Sequence, residues 1–206
     1  MKKNDIIIGF DFDGVIVNSL DVMEKSWNAL SRKHNITIPF SAYKKNIGLK
    51  FNMILENIGV DKSLFDVVYK DYFSGTKHYE NEVKLYPEVL ETIQSLKDKN
   101  TATFIVTSKP RENTLALLKI FGITVDLLVC ADDVKYGKPH TESGDLVYQK
   151  FGNKTVYYVG DMDSDRQFAE NCNFNFIYAS YGYGALSKMA DHKIETLSQV
   201  LKFFKK

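Results

Sequence analysis

Two short acidic runs combine aspartates with glycine at close spacing. One is Asp-Phe-Asp-Gly-Val at residues 11–15, and the other is Gly-Asp-Met-Asp-Ser-Asp at residues 160–165. Carboxylates that a fold forces together repel each other and require a cation, and Mg²⁺ and Ca²⁺ prefer oxygen ligands. An aspartate can also attack phosphorus as a nucleophile and form an aspartyl phosphate. The two runs therefore indicate a metal site suited to the chemistry of phosphate esters.

Each run also has an explanation without chemistry. Asp and Gly favour β-turns, which would account for residues 11–14. Acids at a helix N-terminus are stabilised by the helix dipole, which would account for residues 161–165. An EF-hand is disfavoured because Arg166 stands where the calcium loop has glycine. The chemical interpretation gains weight because both runs follow predicted strands, whose carboxyl ends form the ligand crevice of open α/β sheets.

Two further polar positions follow predicted strands in the same way. Thr107 and Ser108 end the strand at 103–106, so a hydroxyl and a free backbone N–H are expected at the crevice. Alone, a residue such as Thr107 is most often a helix cap, here before Pro110. Lys138 lies in a turn after the strand at 125–130, where a single lysine is ordinarily just solvated. Together with the acids, however, these residues supply a nucleophile, metal ligands, a hydroxyl and a cation.

Short apolar segments rich in β-branched and aromatic residues predict the strands that position these groups. Their near-continuous apolar character is typical of strands buried on both faces of a parallel sheet. Helical patterns lie between them, opened by Pro87, Pro110, Thr141 and Ser164. The chain is therefore predicted to be an α/β protein with a doubly wound parallel sheet and right-handed crossovers. The predicted strands are 6–10, 103–107, 125–130, 155–159 and 174–179.

The interval between the first strand and Pro87 shows helical periodicity and no strand pattern. More than sixty residues of this kind predict a separate small domain, which we call the helical insert, residues 19–85. The α/β core then comprises residues 1–18 and 86–206.

Composition limits the class of protein. With 27 Lys and Arg against 26 Asp and Glu, the net charge of +1 argues against nucleic acid as a partner. No apolar stretch approaches the roughly 18 residues that span a bilayer, and the first apolar run ends at Asp11. Cys130 and Cys172 lie in or beside apolar segments, so we expect buried, reduced thiols. A cytoplasmic protein without a membrane partner is expected.

In the order and placement of these motifs, the chain resembles the haloacid dehalogenase superfamily over nearly its whole length. The resemblance implies a Mg²⁺-dependent phosphatase that acts on a small phosphorylated metabolite, as a monomer or homodimer. It makes Asp11 the nucleophile and Asp13 the general acid and base. It further implies phosphate binding by Thr107, Ser108, Lys138 and Gly14, and Mg²⁺ binding by Asp11, the carbonyl of Asp13, Asp161 and Asp165.

The helical insert resembles the helical cap of phosphoglycolate phosphatases and β-phosphoglucomutases. The run Tyr-Gly-Tyr-Gly at residues 181–184 also resembles the phosphoglycolate phosphatase branch. Substrate specificity is then expected to depend on the insert, and Lys50 and Asn46, which flank Gly48, are the residues predicted to contact the far end of the substrate. The sequence leaves open which phosphate ester that is.

Other functions remain as alternatives. A phosphomutase or phosphotransferase of the same superfamily is disfavoured because Met23 and Phe51 stand where the β-phosphoglucomutase pattern has histidine and arginine. A non-enzymatic receiver-like switch would carry its phospho-acceptor after a later strand and would lack the insert. A catalytically silent phosphate-binding protein is disfavoured by the intact acids at Asp11, Asp13 and Asp161.

Overall fold

The computed structural model describes residues 6–204, and its elements alternate between strands and helices except in the insert. The first half contains β1 (Ile6–Phe10), β2 (Val17–Asn18), α1 (Leu20–Lys33), α2 (Phe40–Lys44), α3 (Phe51–Asn57), α4 (Phe65–His78) and β3 (Lys84–Leu85). The second half contains α5 (Val89–Asp98), β4 (Thr103–Val106), α6 (Arg111–Phe121), β5 (Leu127–Val129), α7 (Glu142–Phe151), β6 (Thr155–Gly160), α8 (Asp163–Asn171), β7 (Asn175–Ala179) and β8 (Lys193–Ile194).

The centre of the protein is a six-stranded parallel sheet with the order β5-β4-β1-β6-β7-β8. Strand β1 lies between β4 and β6, and Phe10 pairs with Ile105 on one side and Val159 on the other. Hydrophobic clusters cover both faces of this sheet, one including Ile8 and the other Ile7, its neighbour in the chain. The predicted doubly wound α/β architecture is confirmed.

Several predicted boundaries are corrected by the structure. Helix α8 begins at Asp163 after Met162, so Ser164 lies inside the helix rather than at its N-cap. The cause is Asp165, whose carboxylate accepts the N–H of Met162 at 3.0 Å and so performs the capping. The strand predicted at 125–130 is confined to Leu127–Val129. The two-residue strands β2, β3 and β8 were missed because so short a segment carries no alternation pattern.

The helical insert has its own hydrophobic cluster, built largely from aromatic side chains. Trp27 and Tyr43 pack with ring centroids 5.0 Å apart, and Phe51 lies 4.6 Å from the ring of Tyr72. All four side chains belong to a cluster distinct from those on the sheet. Strands β2 and β3 pair antiparallel at the two points where the chain passes between the core and the insert. The two connections between core and insert are therefore paired with each other.

Two further features bear on the sequence-based expectations. Cys130 and Cys172 are both buried and free, which confirms the expectation of unpaired thiols. Among residues 6–204, no helix is long and apolar enough to cross a membrane.

Candidate active site

The polar residues of the sequence motifs converge at the carboxyl edge of the sheet. Asp11 directly follows β1, and its N–H donates to the carbonyl of Val159 at 2.8 Å, which fixes it beside the end of β6. Lys138 is fully buried between two acids, with Nζ 2.9 Å from Asp11 Oδ1 and 2.6 Å from Asp165 Oδ1. The sheet thus brings together residues that are more than 150 positions apart in the chain.

Three of these acids could hold a metal ion. Asp11, Asp161 and Asp165 are buried, and each offers a carboxylate oxygen within 4.8 Å of the other two. Asp161 Oδ2 accepts the N–H of Tyr183 at 2.6 Å, but Asp161 Oδ1 is buried without a hydrogen-bond partner. An unsatisfied buried carboxylate oxygen is costly, and a metal ion would satisfy it.

Asp165 is engaged differently from Asp161. One of its oxygens binds Lys138, and the other accepts the N–H groups of Asp161 at 3.2 Å and Met162 at 3.0 Å. Protein donors therefore occupy both oxygens, so Asp165 orients Lys138 and the loop that carries Asp161. Asp163 is one-third exposed and pairs with Arg166, outside the cluster. Of the two acids that follow Asp161 in the run, it is Asp165 that lies in the site.

Burial controls the protonation of the cluster. It raises the pKa of Asp11 to about 7, while the Lys138 ammonium opposes this rise and Asp165 adds to it. Burial and the neighbouring carboxylates also raise the pKa of Asp161 well above its usual range. Burial alone would lower the pKa of Lys138, but the charges of Asp11 and Asp165 outweigh it and keep that pKa well above normal.

The charges of the site fit a divalent cation. Among the described residues here, the carboxylates of Asp11, Asp13, Asp161 and Asp165 are balanced only by the ammonium groups of Lys109 and Lys138. When all four carboxylates are ionised, two negative charges remain, and the available ligand atoms are hard oxygens. Mg²⁺ matches both the charge and the ligand type.

Asp13 is held by residues that the sequence analysis did not assign to the site. Lys109 Nζ lies 3.1 Å from Asp13 Oδ2, and the Ser19 hydroxyl donates to Asp13 Oδ1. Ser19 is tied in turn to Tyr183, whose hydroxyl accepts the N–H of Ser19 at 2.6 Å and donates to Val17 O at 3.1 Å. Two features of the sequence could have indicated these residues. Lys109 directly follows Ser108, and glycines flank Tyr183.

Two of the predicted phosphate-binding residues, Thr107 and Gly14, have backbone N–H groups that already donate to carbonyls of the protein. The backbone N–H of Thr107, expected to be free, donates to Val129 O at 2.9 Å because it continues the β4–β5 ladder. Its hydroxyl accepts the N–H of Lys109 at 3.2 Å. Gly14 has φ +88°, and an added Cβ would lie 2.4 Å from Asp161 Oδ2, so glycine is required there. Its N–H donates within its own turn, to Val17 O at 2.8 Å.

A small cavity of about 40 Å³ lies between the site and the helical insert. Asp11, Asp13, Thr107, Ser108 and Lys109 line it from the core. We call these five residues, together with Lys138, Asp161 and Asp165 of the adjoining charge cluster, the floor. The insert provides the opposite wall, which we call the roof. The roof consists of Met23, Tyr43, Ile47, Gly48, Leu49, Phe51, Ile54, Tyr72 and Phe73.

The two residues predicted to contact substrate from the insert do not line this cavity. Lys50 Nζ donates to the carbonyls of Val134 at 2.9 Å and Lys135 at 3.2 Å, and it borders a separate outer groove of about 720 Å³. Asn46 donates to Ala42 O and accepts from the Asn57 side chain, both within the insert. Ser108 also connects the core to the insert, since its hydroxyl donates to the carbonyl of Gly48 at 2.6 Å.

Comparison with known proteins identifies the class to which this fold and site belong. The family described as haloacid dehalogenase-like hydrolase matches residues 7–179. The phosphoglycolate phosphatase of Rhodobacter capsulatus is 27% identical over 186 residues, which cover 84% of each chain. The pyrophosphatase PpaX of Bacillus cereus is 30% identical over 173 residues, covering 80% of this chain and 77% of the relative.

Solved structures share the fold across almost the entire chain. A hydrolase from Pseudomonas syringae superposes with a TM-score of 0.86 at 19% identity, covering 97% of this chain and 96% of that one. CbbY from Rhodobacter sphaeroides, solved in complex with phosphate, gives a TM-score of 0.80 at 13% identity, with 95% and 96% covered.

The chain belongs to the haloacid dehalogenase-like hydrolases. It is an enzyme of the phosphatase branch of that family.

Proposed function

We propose that this enzyme is a Mg²⁺-dependent phosphatase that hydrolyses small phosphate monoesters through an aspartyl phosphate on Asp11. The observation that carries this proposal is the placement of Asp11. Its carboxylate lines the small cavity between core and insert, lies 2.9 Å from the Lys138 ammonium and belongs to a cluster in which one Asp161 oxygen has no partner. That combination supports a nucleophile beside a cation site.

The residues of the floor would divide the reaction between them. A carboxylate oxygen of Asp11 forms a bond to phosphorus as the bond to the leaving alcohol breaks, and the alcohol oxygen keeps that electron pair. Asp13 lines the same cavity and donates the proton that the leaving oxygen requires. In the second step a water molecule attacks phosphorus, Asp13 takes its proton, and the bond between Asp11 and phosphorus breaks to release phosphate.

The cations of the floor assist in two ways. Lys138 touches Asp11 and Asp165 and places a fixed positive charge where the phosphoryl oxygens gather charge. Lys109 pairs with Asp13 and holds it against the cavity. Mg²⁺, held by Asp11, Asp161 and the main-chain carbonyl of Asp13, would neutralise the phosphoryl group so that an anionic carboxylate can approach it.

Phosphate release from a panel of monoesters, with and without Mg²⁺, tests the proposal. Wild type is compared with Asp11→Asn, which keeps the shape of the side chain and removes the anionic nucleophile. We expect release that requires both Mg²⁺ and Asp11. Equal rates for the two proteins would refute the assignment of Asp11, and no release from any ester would favour a phosphate-binding role instead.

A further inference from the structure

The floor and roof of the cavity differ in charge. In the part of the chain that the structure describes, none of the roof residues carries a charged side chain. Most of the roof is apolar, as at Met23, Ile47 and Ile54, and its polar side-chain groups are the hydroxyls of Tyr43 and Tyr72. A group that leaves with the ester oxygen must face this roof, because the floor is taken up by the phosphoryl site.

The nearest cations are committed elsewhere. Lys109 is paired with Asp13 at 3.1 Å, and Lys138 lies between Asp11 and Asp165. Lys50 donates to the backbone carbonyls of Val134 and Lys135 in the core. Each of these ammonium groups is therefore already paired with carboxylates or with backbone carbonyls.

The two tyrosines supply neutral hydrogen-bonding groups. Tyr43 donates to the hydroxyl of Tyr72 at 2.8 Å, which leaves the proton of Tyr72 for an oxygen inside the cavity. Burial raises the pKa of both hydroxyls, so both stay protonated. A hydroxyl or amide oxygen on the leaving group would be a suitable acceptor.

An anionic leaving group would be poorly accommodated by this roof. Burial of an ionised group without a counter-charge is much more costly than burial of a hydrogen-bonded neutral group. Phosphoglycolate carries a carboxylate and pyrophosphate carries a second phosphate, so the substrates in the relatives' names would both bring an anion to the roof. The cavity is also small, about 40 Å³.

We propose that the natural substrate is the phosphate ester of a small, uncharged alcohol, and that phosphoglycolate and pyrophosphate are poor substrates. This inference rests on the proposed phosphatase function. It names the leaving group that the roof selects, which the family description does not specify.

A matched pair of esters tests the proposal. Phosphoglycolate and phosphoglycolamide have the same shape and differ in one charge, so their kcat/KM ratio with the Mg²⁺-loaded wild type isolates the roof's preference. We expect the amide to be favoured by about tenfold or more, because the carboxylate is left unpaired. A kcat/KM for phosphoglycolate equal to or above that of the amide overturns the proposal, as does pyrophosphate hydrolysis that matches the best neutral ester.

A charge added to the roof provides the converse test. Leu49 is only half-buried and lines the cavity, so Leu49→Lys brings a cation to the roof, with Leu49→Met as the neutral control. We expect Leu49→Lys alone to shift the ratio toward phosphoglycolate, and an unchanged ratio counts against the proposal. Asp11→Asn distinguishes failure of this proposal from failure of the proposed phosphatase function. Any ester whose hydrolysis requires Asp11 preserves the phosphatase function, whichever ester is preferred. If no ester is hydrolysed, both proposals fail.

Discussion

The two walls of the cavity come from different parts of the chain and are built on different physical principles. The floor belongs to the parallel sheet and gathers buried acids and lysines that need one another, such as Asp11 and Lys138. The roof belongs to the helical insert and is held by aromatic packing, such as that of Phe51 on Tyr72. The residues that would carry out the reaction are therefore positioned by the ends of the strands. The leaving group instead meets a surface whose side chains are packed for hydrophobic stability.

The largest effect is expected from the floor at Asp11. Asp11→Asn removes the nucleophile, and removal of a covalent nucleophile ordinarily lowers kcat by about a thousandfold or more. The measurement is steady-state phosphate release from the best neutral ester. Ser63→Ala serves as control because Ser63 is exposed in the insert and its hydroxyl donates to Asp61. A loss below about tenfold in Asp11→Asn would break the division between a reactive floor and a passive roof.

The second effect is on stability and also concerns the floor. Lys138→Met leaves Asp11 and Asp165 buried without their shared cation, and breaking such a pair costs about 3–5 kcal/mol of unfolding free energy. Denaturant unfolding without Mg²⁺ measures this loss.

A roof variant gives the matched comparison for Lys138→Met. Tyr43→Phe removes one neutral hydrogen bond at 2.8 Å and should cost only about 1 kcal/mol. Equal costs for the two variants would contradict the view that charge pairing holds the floor and packing holds the roof.

The third effect concerns Tyr183, which connects the two walls. Its hydroxyl fixes the backbone at Val17 and Ser19, and Ser19 donates to Asp13. Tyr183→Phe should therefore displace the general acid and slow alkyl esters by about tenfold. Nitrophenyl phosphate should be affected less, because nitrophenolate leaves without a proton.

Tyr181→Phe is the control for Tyr183, because the Tyr181 hydroxyl makes a similar bond, to Val15 O at 3.0 Å, with no link to Asp13. The alkyl-to-aryl rate ratio should fall in Tyr183→Phe and stay constant in Tyr181→Phe. The positioning role is rejected if both variants change that ratio equally.

Ser19→Thr, which retains the hydroxyl, should keep more of the wild-type ratio than Ser19→Ala.

The floor could be largely predicted from the sequence because its residues directly follow strands, and strand ends in a parallel sheet converge. Thr107 and Asp161 were placed in this way, although the strand ladder takes the Thr107 N–H that was expected to be free. The insert offered no such rule. The periodicity of a helix predicts which side is buried but not which helix it meets. Lys50 and Asn46 were therefore chosen as polar residues that flank Gly48, and the fold directs both to backbone carbonyls.

Lys50 provides the smallest predicted effect. The aliphatic stem of Lys50 passes close to Gly137, where an added Cβ would lie 2.4 Å from Lys50 Cγ. The Lys50 ammonium donates to two carbonyls of the loop before Lys138. Lys50→Met keeps the stem and removes these bonds between insert and core, so every ester should lose about two- to threefold in kcat/KM, the value of a partly exposed hydrogen bond. Lys45→Met, an exposed change in the same loop, is the control. A residue that contacts the substrate would instead alter the ratio between charged and neutral esters. Such a change in Lys50→Met would make Lys50 part of the roof and reverse the comparison between the two walls.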